Sequence, residues 1–147
     1  MTVHRPDLET LDRALVSLRR FLTAPPVLDD RGQRVELSTL LVLDGLPLEG
    51  ESIREVAARL DVTHSTASRL VTRAEEAGMT TRTRSRADTR ETLVVPTSAG
   101  LDLAARATAF RLDRIASMVG DWAPADLHRF AEDLQRFARS YRAQELP

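Results

Sequence analysis

Leu8, Leu11, Leu15, Leu18 and Leu22 recur at alternating spacings of three and four residues. That pattern puts five leucines on one stripe and predicts a helix over residues 7–23. Asp7, Glu9 and Asp12 in its first turns, and Arg19 and Arg20 in its last, suit the helix dipole. Ala24-Pro25-Pro26 stops it, because proline denies the next turn its amide donors, and residues 29–33 read as an exposed loop. A second helix is expected over residues 36–44. It is nearly all apolar, hence buried, and Gly45 and Pro47 close it.

Ser52, followed three residues later by Glu55, makes a capping box. Ile53, Val56, Ala57 and Leu60 then form one apolar helical face. A short break at Asp61-Val62 leads to Thr63 as a new N-cap. The next helix covers residues 64–77, with Ala67, Leu70, Val71 and Ala74 inward and Gly78 suited to a left-handed position past its end. Two short helices separated by a tight break are the pattern of a helix-turn-helix. From Thr80 the period changes: residues 80–84 and 91–95 are rich in β-branched side chains and flank a polar tip, residues 85–90, which predicts a two-stranded hairpin. Thr97 caps a long helix over residues 98–120 that is apolar on two stripes, Leu101, Ala104, Ala105, Leu112, Ile115 and Val119 on one, Leu103, Ala107 and Phe110 on the other. In a last helix, residues 125–142, Leu127, Phe130, Leu134, Phe137 and Tyr141 share one seam. The fold class expected is mainly α: a winged helix-turn-helix core (residues 35–100) between an N-terminal helix and loop (1–34) and C-terminal helices (101–147).

Composition narrows the chemistry. In 147 residues there are 21 basic and 22 acidic side chains and no cysteine, which excludes a disulfide scaffold, a thiolate zinc site and a thiol redox sensor. No apolar run approaches a membrane span and the N-terminus lacks a signal-peptide core, so a soluble, cytoplasmic protein is expected. His4, His64 and His128 have no metal-ligand spacing. His64 and Ser65 are adjacent on a helix and point about 100° apart, so they do not form a base–nucleophile pair. Neither an enzyme, a cofactor nor a metal is expected. The net charge of −1 conceals a local imbalance: residues 82–90 hold Arg82, Arg84, Arg86 and Arg90 against Asp88, a balance of +3, which leaves −4 for the rest. All 21 cations are arginine, so each can make forked contacts.

Several runs carry a family resemblance. Ser52 to Ala57 with Leu60, Thr63 to Val71, Gly78-Met79 and Arg82, then Asp88-Thr89-Arg90 and Pro96 to Gly100, stand in the order and spacing of the winged-helix core of the MarR (multiple-antibiotic-resistance regulator) family. The resemblance runs from about residue 35 to 100. Three positions depart from it: Ala74 stands where leucine is usual, Thr80 where valine or isoleucine is usual, and Thr89 where the wing tip often has arginine. The resemblance implies a homodimeric transcriptional regulator, most often a repressor, bound to a pseudo-palindromic double-stranded operator. It further implies a small aromatic or lipophilic ligand between the dimerisation and DNA-binding parts, and terminal helices that serve as dimerisation elements.

The residues make a case of their own for DNA. With Ala67, Leu70, Val71 and Ala74 inward, the outward face of helix 64–77 carries Ser65, Ser68, Arg69 and Thr72, with His64 and Thr66 in the first turn and Arg73 flanking. Hydroxyls suit phosphates or base edges, and an arginine forks onto guanine. Arg82, Arg84 and Arg86 alternate along the hairpin, so they are expected on one face, and Arg90 at the tip is placed for a minor groove. Asp88 is read as orienting an arginine, and Arg82, by resemblance, as bracing the wing. The plainer reading of Ser65, Ser68 and Thr72 is a solvated face. The apolar seams of the first and last helices either cover the core or join two copies; an already complete domain between them favours the second. The alternative function is a winged helix acting only as a protein–protein module, which calls for an acidic or apolar recognition face.

Overall fold

A computed structural model describes residues 4–22, 32 and 34–144. Its order is α1 (Arg5–Leu22), α2 (Leu37–Leu43), α3 (Ile53–Leu60), α4 (His64–Glu76), β1 (Thr80–Arg84), β2 (Thr92–Pro96), α5 (Ser98–Met118) and α6 (Pro124–Gln144). The fold is therefore mainly α with a two-stranded wing, as expected. The stop at Ala24-Pro25-Pro26 lies outside the described residues, and so does the 29–33 loop apart from Gly32. The chain packs as two units, residues 1–107 and 108–147.

In the first unit α2, α3 and α4 surround Val42, Leu46, Val56, Ala57, Ala67, Val71, Ala74 and Val94, with Ile53, Leu60, Val62 and Leu70 packed at the edge. Each helix starts on a chemical signal visible in the sequence. The Ser52 amide and hydroxyl donate to Glu55 Oε2 at 2.8 and 2.9 Å, and the Glu55 amide donates back to Ser52 Oγ at 3.3 Å. Those donors, the backbone amide foremost, hold the Glu55 carboxyl below its ordinary 4.5. Thr63 caps α4 by accepting from the Thr66 amide at 3.2 Å. Between the two helices Asp61 takes a left-handed conformation (φ 53°), an arrangement that aspartate tolerates better than most residues.

One expectation needs correction. Helix α2 is not buried throughout: Thr39, Val42 and Leu43 are, but Leu37 and Leu41 are 48% and 46% exposed. A two-turn helix resting on one side of α3 and α4 has an outer face whatever its composition, and an all-apolar run does not say which side that is.

The strands pair antiparallel from Thr80↔Pro96 to Arg84↔Thr92. Glu51 adds a rung, exchanging backbone hydrogen bonds with Val94 at 3.0 and 2.7 Å. Arg59 locks this rung to the helices. Its Nε and Nη2 fork onto the Glu51 carboxylate at about 3 Å, Nη1 donates to the Asp44 carbonyl at 2.6 Å, and Nη2 donates to the Val42 carbonyl at 3.1 Å. One side chain thus serves the carbonyls at the end of α2 and the only carboxylate on the extra rung. Nothing in the spacing of the sequence singles Arg59 out, because its partners lie eight to seventeen positions away.

At the far side of the wing α5 starts against the end of α4. Thr97 Oγ donates to the Gly78 carbonyl at 2.7 Å and accepts from the Gly100 amide at 3.0 Å, while the Thr97 amide donates to the Met79 carbonyl at 3.0 Å. A Cβ on Gly100 would land on the Met79 carbonyl oxygen, so only glycine lets the helix come this close. Leu43, Met79 and Leu103 close a second small core there.

Thr80, one of the departures from the family pattern, is 3% exposed and its hydroxyl has no hydrogen-bond partner among the described residues. A buried, unsatisfied hydroxyl costs about 1–3 kcal/mol, and valine has the same shape. Thr80→Val is therefore expected to raise stability by about 1 kcal/mol, read as a higher melting temperature with the wing otherwise unchanged. A lowered melting temperature would mean that the hydroxyl has a partner in solution.

In the second unit α6 begins with Pro124 in its first turn, where a missing amide costs nothing. Trp122 and Phe130 meet edge-on with centroids 5.3 Å apart. Leu134, Phe137 and Tyr141 stay 45–57% exposed, and no residue of α6 is buried. On α1, in the first unit, Leu8, Leu11, Leu15 and Leu18 are likewise about half exposed. Among the described residues the two expected seams are thus about half exposed in the single chain.

Candidate nucleic-acid interface

Helix α4 buries Ala67, Val71 and Ala74 and presents the opposite side to solvent. His64, Ser65, Arg69, Thr72 and Arg73 are exposed, and Thr66 and Ser68 half-buried, so the seven positions expected to read DNA do share an accessible surface. Their hydrogen bonds distinguish them. Thr63 Oγ donates to Thr66 Oγ at 3.0 Å, which commits its one proton; the 3.2 Å contact between Ser65 and Thr63 is therefore donated by Ser65. Thr66 Oγ also accepts from Arg69 Nη2 at 3.4 Å, so the guanidinium starts out drawn toward the helix N-terminus. Thr72 Oγ donates to the Ser68 carbonyl at 3.0 Å. Arg73 forms a 3.6 Å ion pair with Glu36, just ahead of α2, and is the most committed charge on this face.

The wing sorts its four arginines into two kinds. Arg82 Nε donates to both Glu75 carboxylate oxygens at 3.0 Å, tying β1 to α4, which is the bracing role expected of it. Arg84 Nη1 reaches the Thr89 carbonyl at 3.3 Å across the tip. Arg86 and Arg90 are exposed and have no side-chain partner among the described residues. Arg86 does not continue the strand alternation, because β1 ends at Arg84. The chain turns at Ser85, which is only 7% exposed in a stretch where every neighbour from Thr81 to Thr92 is exposed. The Ser85 hydroxyl accepts from the Ala87 and Asp88 amides at 3.2 and 3.3 Å, and its own amide donates to the Glu91 carbonyl at 2.9 Å. Asp88 accepts from the backbone amide of Arg90 at 2.9 Å: it fixes where Arg90 leaves the chain and makes no ion pair with the guanidinium. Ser85 was missed in the sequence. A serine between two arginines looks like any polar tip residue, and only its burial singles it out.

The surface so assembled holds a projecting polar helix with one central arginine, and beside it a hairpin whose tip carries two uncommitted guanidiniums. Such a surface can enter a groove and neutralise phosphates. Among the described residues no cluster of three or more histidine, aspartate or glutamate side chains could hold a metal, and no helix is long and apolar enough to cross a membrane.

Comparison with known proteins points the same way. The model of the MarR family matches residues 33–91. A MarR family protein of Bacillus stearothermophilus superposes with a TM-score of 0.75 at 17% identity, covering 96% of this chain and 99% of that one. AbsC, a MarR family transcriptional regulator of Streptomyces coelicolor, gives 0.72 at 20% identity over 97% and 99%. CouR of Rhodococcus jostii, solved bound to p-coumaroyl-CoA, is 30% identical over 71% of this chain and 73% of its own, with a TM-score of 0.53. No curated protein sequence matches.

Proposed function

This chain belongs to the MarR family of winged-helix, DNA-binding transcriptional regulators, and from that premise we propose that it is a homodimeric repressor of a pseudo-palindromic operator. The observation that carries the reading is the pairing of an exposed polar α4 face around Arg69 with the free Arg86 and Arg90 of the wing tip. Helix α4 reads base edges in a major groove, with Arg69 released from Thr66 to fork onto a guanine. Arg90 enters the flanking minor groove and Arg86 meets phosphate. His64, Ser65, Thr66, Ser68 and Thr72 supply short contacts around Arg69, and Arg73 and Arg84 add charge at the margins. A second copy covers the apolar seams of α1 and α6, which sets two reading helices about one turn of duplex (~34 Å) apart. A small aromatic or lipophilic compound favouring a spacing that misfits DNA would release the operator; CouR is a relative solved with a ligand, p-coumaroyl-CoA, whose acyl part is aromatic. With no cysteine in the chain, thiol oxidation is not the trigger.

The test is an anisotropy titration with a duplex that the wild-type protein enriches from a random-sequence pool, set beside an unrelated duplex. Preference for the enriched duplex, lost steeply as salt rises, is expected; equal, weak binding to both sinks the reading. Arg69→Ala is expected to cut that preference by about tenfold per half-site while leaving affinity for the unrelated duplex within about twofold. Full retention of the preference would remove Arg69 from the base-reading set.

A further inference from the structure

The burial of Ser85 has a use that its neighbours explain. A wing tip that must place two guanidiniums on DNA either arrives already shaped or is ordered at binding, and ordering a segment is subtracted from affinity. Here the tip is shaped in advance. Ser85 is buried and holds the Ala87 and Asp88 amides; Asp88 in turn holds the Arg90 amide, and its carbonyl accepts from the Glu91 amide at 2.9 Å. The chain of bonds runs from Ser85 through both backbone positions that bracket the free arginines, and Ser85 itself has no exposed atom to offer a phosphate beyond its 7% of surface. Resting on the DNA-binding reading above, we propose that Ser85 is a positioning residue for Arg86 and Arg90: it raises affinity for every duplex by pre-forming the tip, without touching DNA.

A residue that acts this way leaves a distinct mark on salt dependence. Losing a phosphate contact flattens the plot of log affinity against log salt by about 0.9 per contact, whereas losing pre-organisation lowers the whole line and leaves its slope alone. Ser85→Ala is measured by anisotropy on a random-sequence 20-base-pair duplex and on the enriched duplex, at four salt concentrations. The expected result is a five- to tenfold loss on both duplexes, with lines parallel to those of the wild type. In the Arg86→Ala/Arg90→Ala background the same substitution is expected to have no further effect, since nothing remains to be positioned. Hydrogen exchange in the free proteins supplies a readout independent of DNA: the Ala87 and Asp88 amides are expected to lose protection in Ser85→Ala while those of α3 and α4 keep theirs. A flattened slope, an equal loss in the double-substituted background, or unchanged affinity overturns the proposal. If the wild type itself failed to prefer any duplex, the regulator reading would fall and this inference with it. Preference in the wild type with unchanged Ser85→Ala overturns this inference alone.

Discussion

Arg59→Ala is expected to lower the unfolding free energy by about 3 kcal/mol and the melting temperature by about 10 °C. The size follows from what is left behind. Arg59 and Glu51 are only 22% and 16% exposed, so removing the guanidinium strands a largely desolvated carboxylate on the rung that joins Val94. It also takes the guanidinium donor from the carbonyl of fully buried Val42, near the end of α2, where no further turn of helix replaces it. Lysine has one ammonium in place of a planar fork and cannot meet both the carboxylate and the two carbonyls, so Arg59→Lys is expected to recover less than half of the loss. Replacing Glu51 as well, with glutamine, removes the stranded charge; the double variant is expected to be more stable than the sum of the single losses. Thermal denaturation of the wild type, the three single variants (Arg59→Ala, Arg59→Lys, Glu51→Gln) and the double variant checks this. A melting temperature for Arg59→Ala within about 2 °C of wild type would show that water serves these groups equally well.

Arg59 also marks the limit of what the sequence discloses. Apolar spacing and caps are local, and they located α1, α3, α4, the hairpin, α5 and α6 to within a few residues; Ser52, Thr63, Gly78 and Thr97 do in the structure what their chemistry suggested. The shared face of α4 was legible for the same reason, because inward positions fix outward ones. The commitments of charged side chains were not legible. Arg82 to Glu75, Arg73 to Glu36 and Arg59 to Glu51 are pairs seven or more positions apart, and sequence spacing carries information about partners only three or four positions away on one helix. The bracing role of Arg82 came only with the family resemblance, and nothing in the spacing set Arg84, which reaches the Thr89 carbonyl, apart from Arg86 and Arg90. The same limit hid Ser85, whose burial depends on how a strand ends, and the outer face of α2, whose exposure depends on which neighbours reach it.

Sorting the arginines yields the largest effect expected on binding. Arg86→Ala/Arg90→Ala removes both uncommitted guanidiniums of the tip, four in a dimer, and is expected to weaken binding to any duplex by about 100- to 1,000-fold near physiological salt. The slope of log affinity against log salt is expected to flatten by about 2, at about 0.9 for each phosphate met by the two Arg86 side chains of a dimer, and by up to about 4 where the minor-groove Arg90 pair displaces counterions as well. The ratio between the enriched and the unrelated duplex should hardly move, because tip contacts position the protein and Arg69 does the reading. Stability supplies the contrast with the other pair. Arg86 and Arg90 are exposed and unpartnered among the described residues, so their loss should leave the melting temperature within about 1 °C. Arg82→Ala should lower it, since Glu75 is 26% exposed and gives up a cation that ties β1 to α4. If the double substitution lowered the melting temperature and left the salt slope intact, the roles would be reversed: Arg86 and Arg90 would belong to the architecture of the wing, and the charge that meets DNA would have to come from Arg84 and the margins of α4.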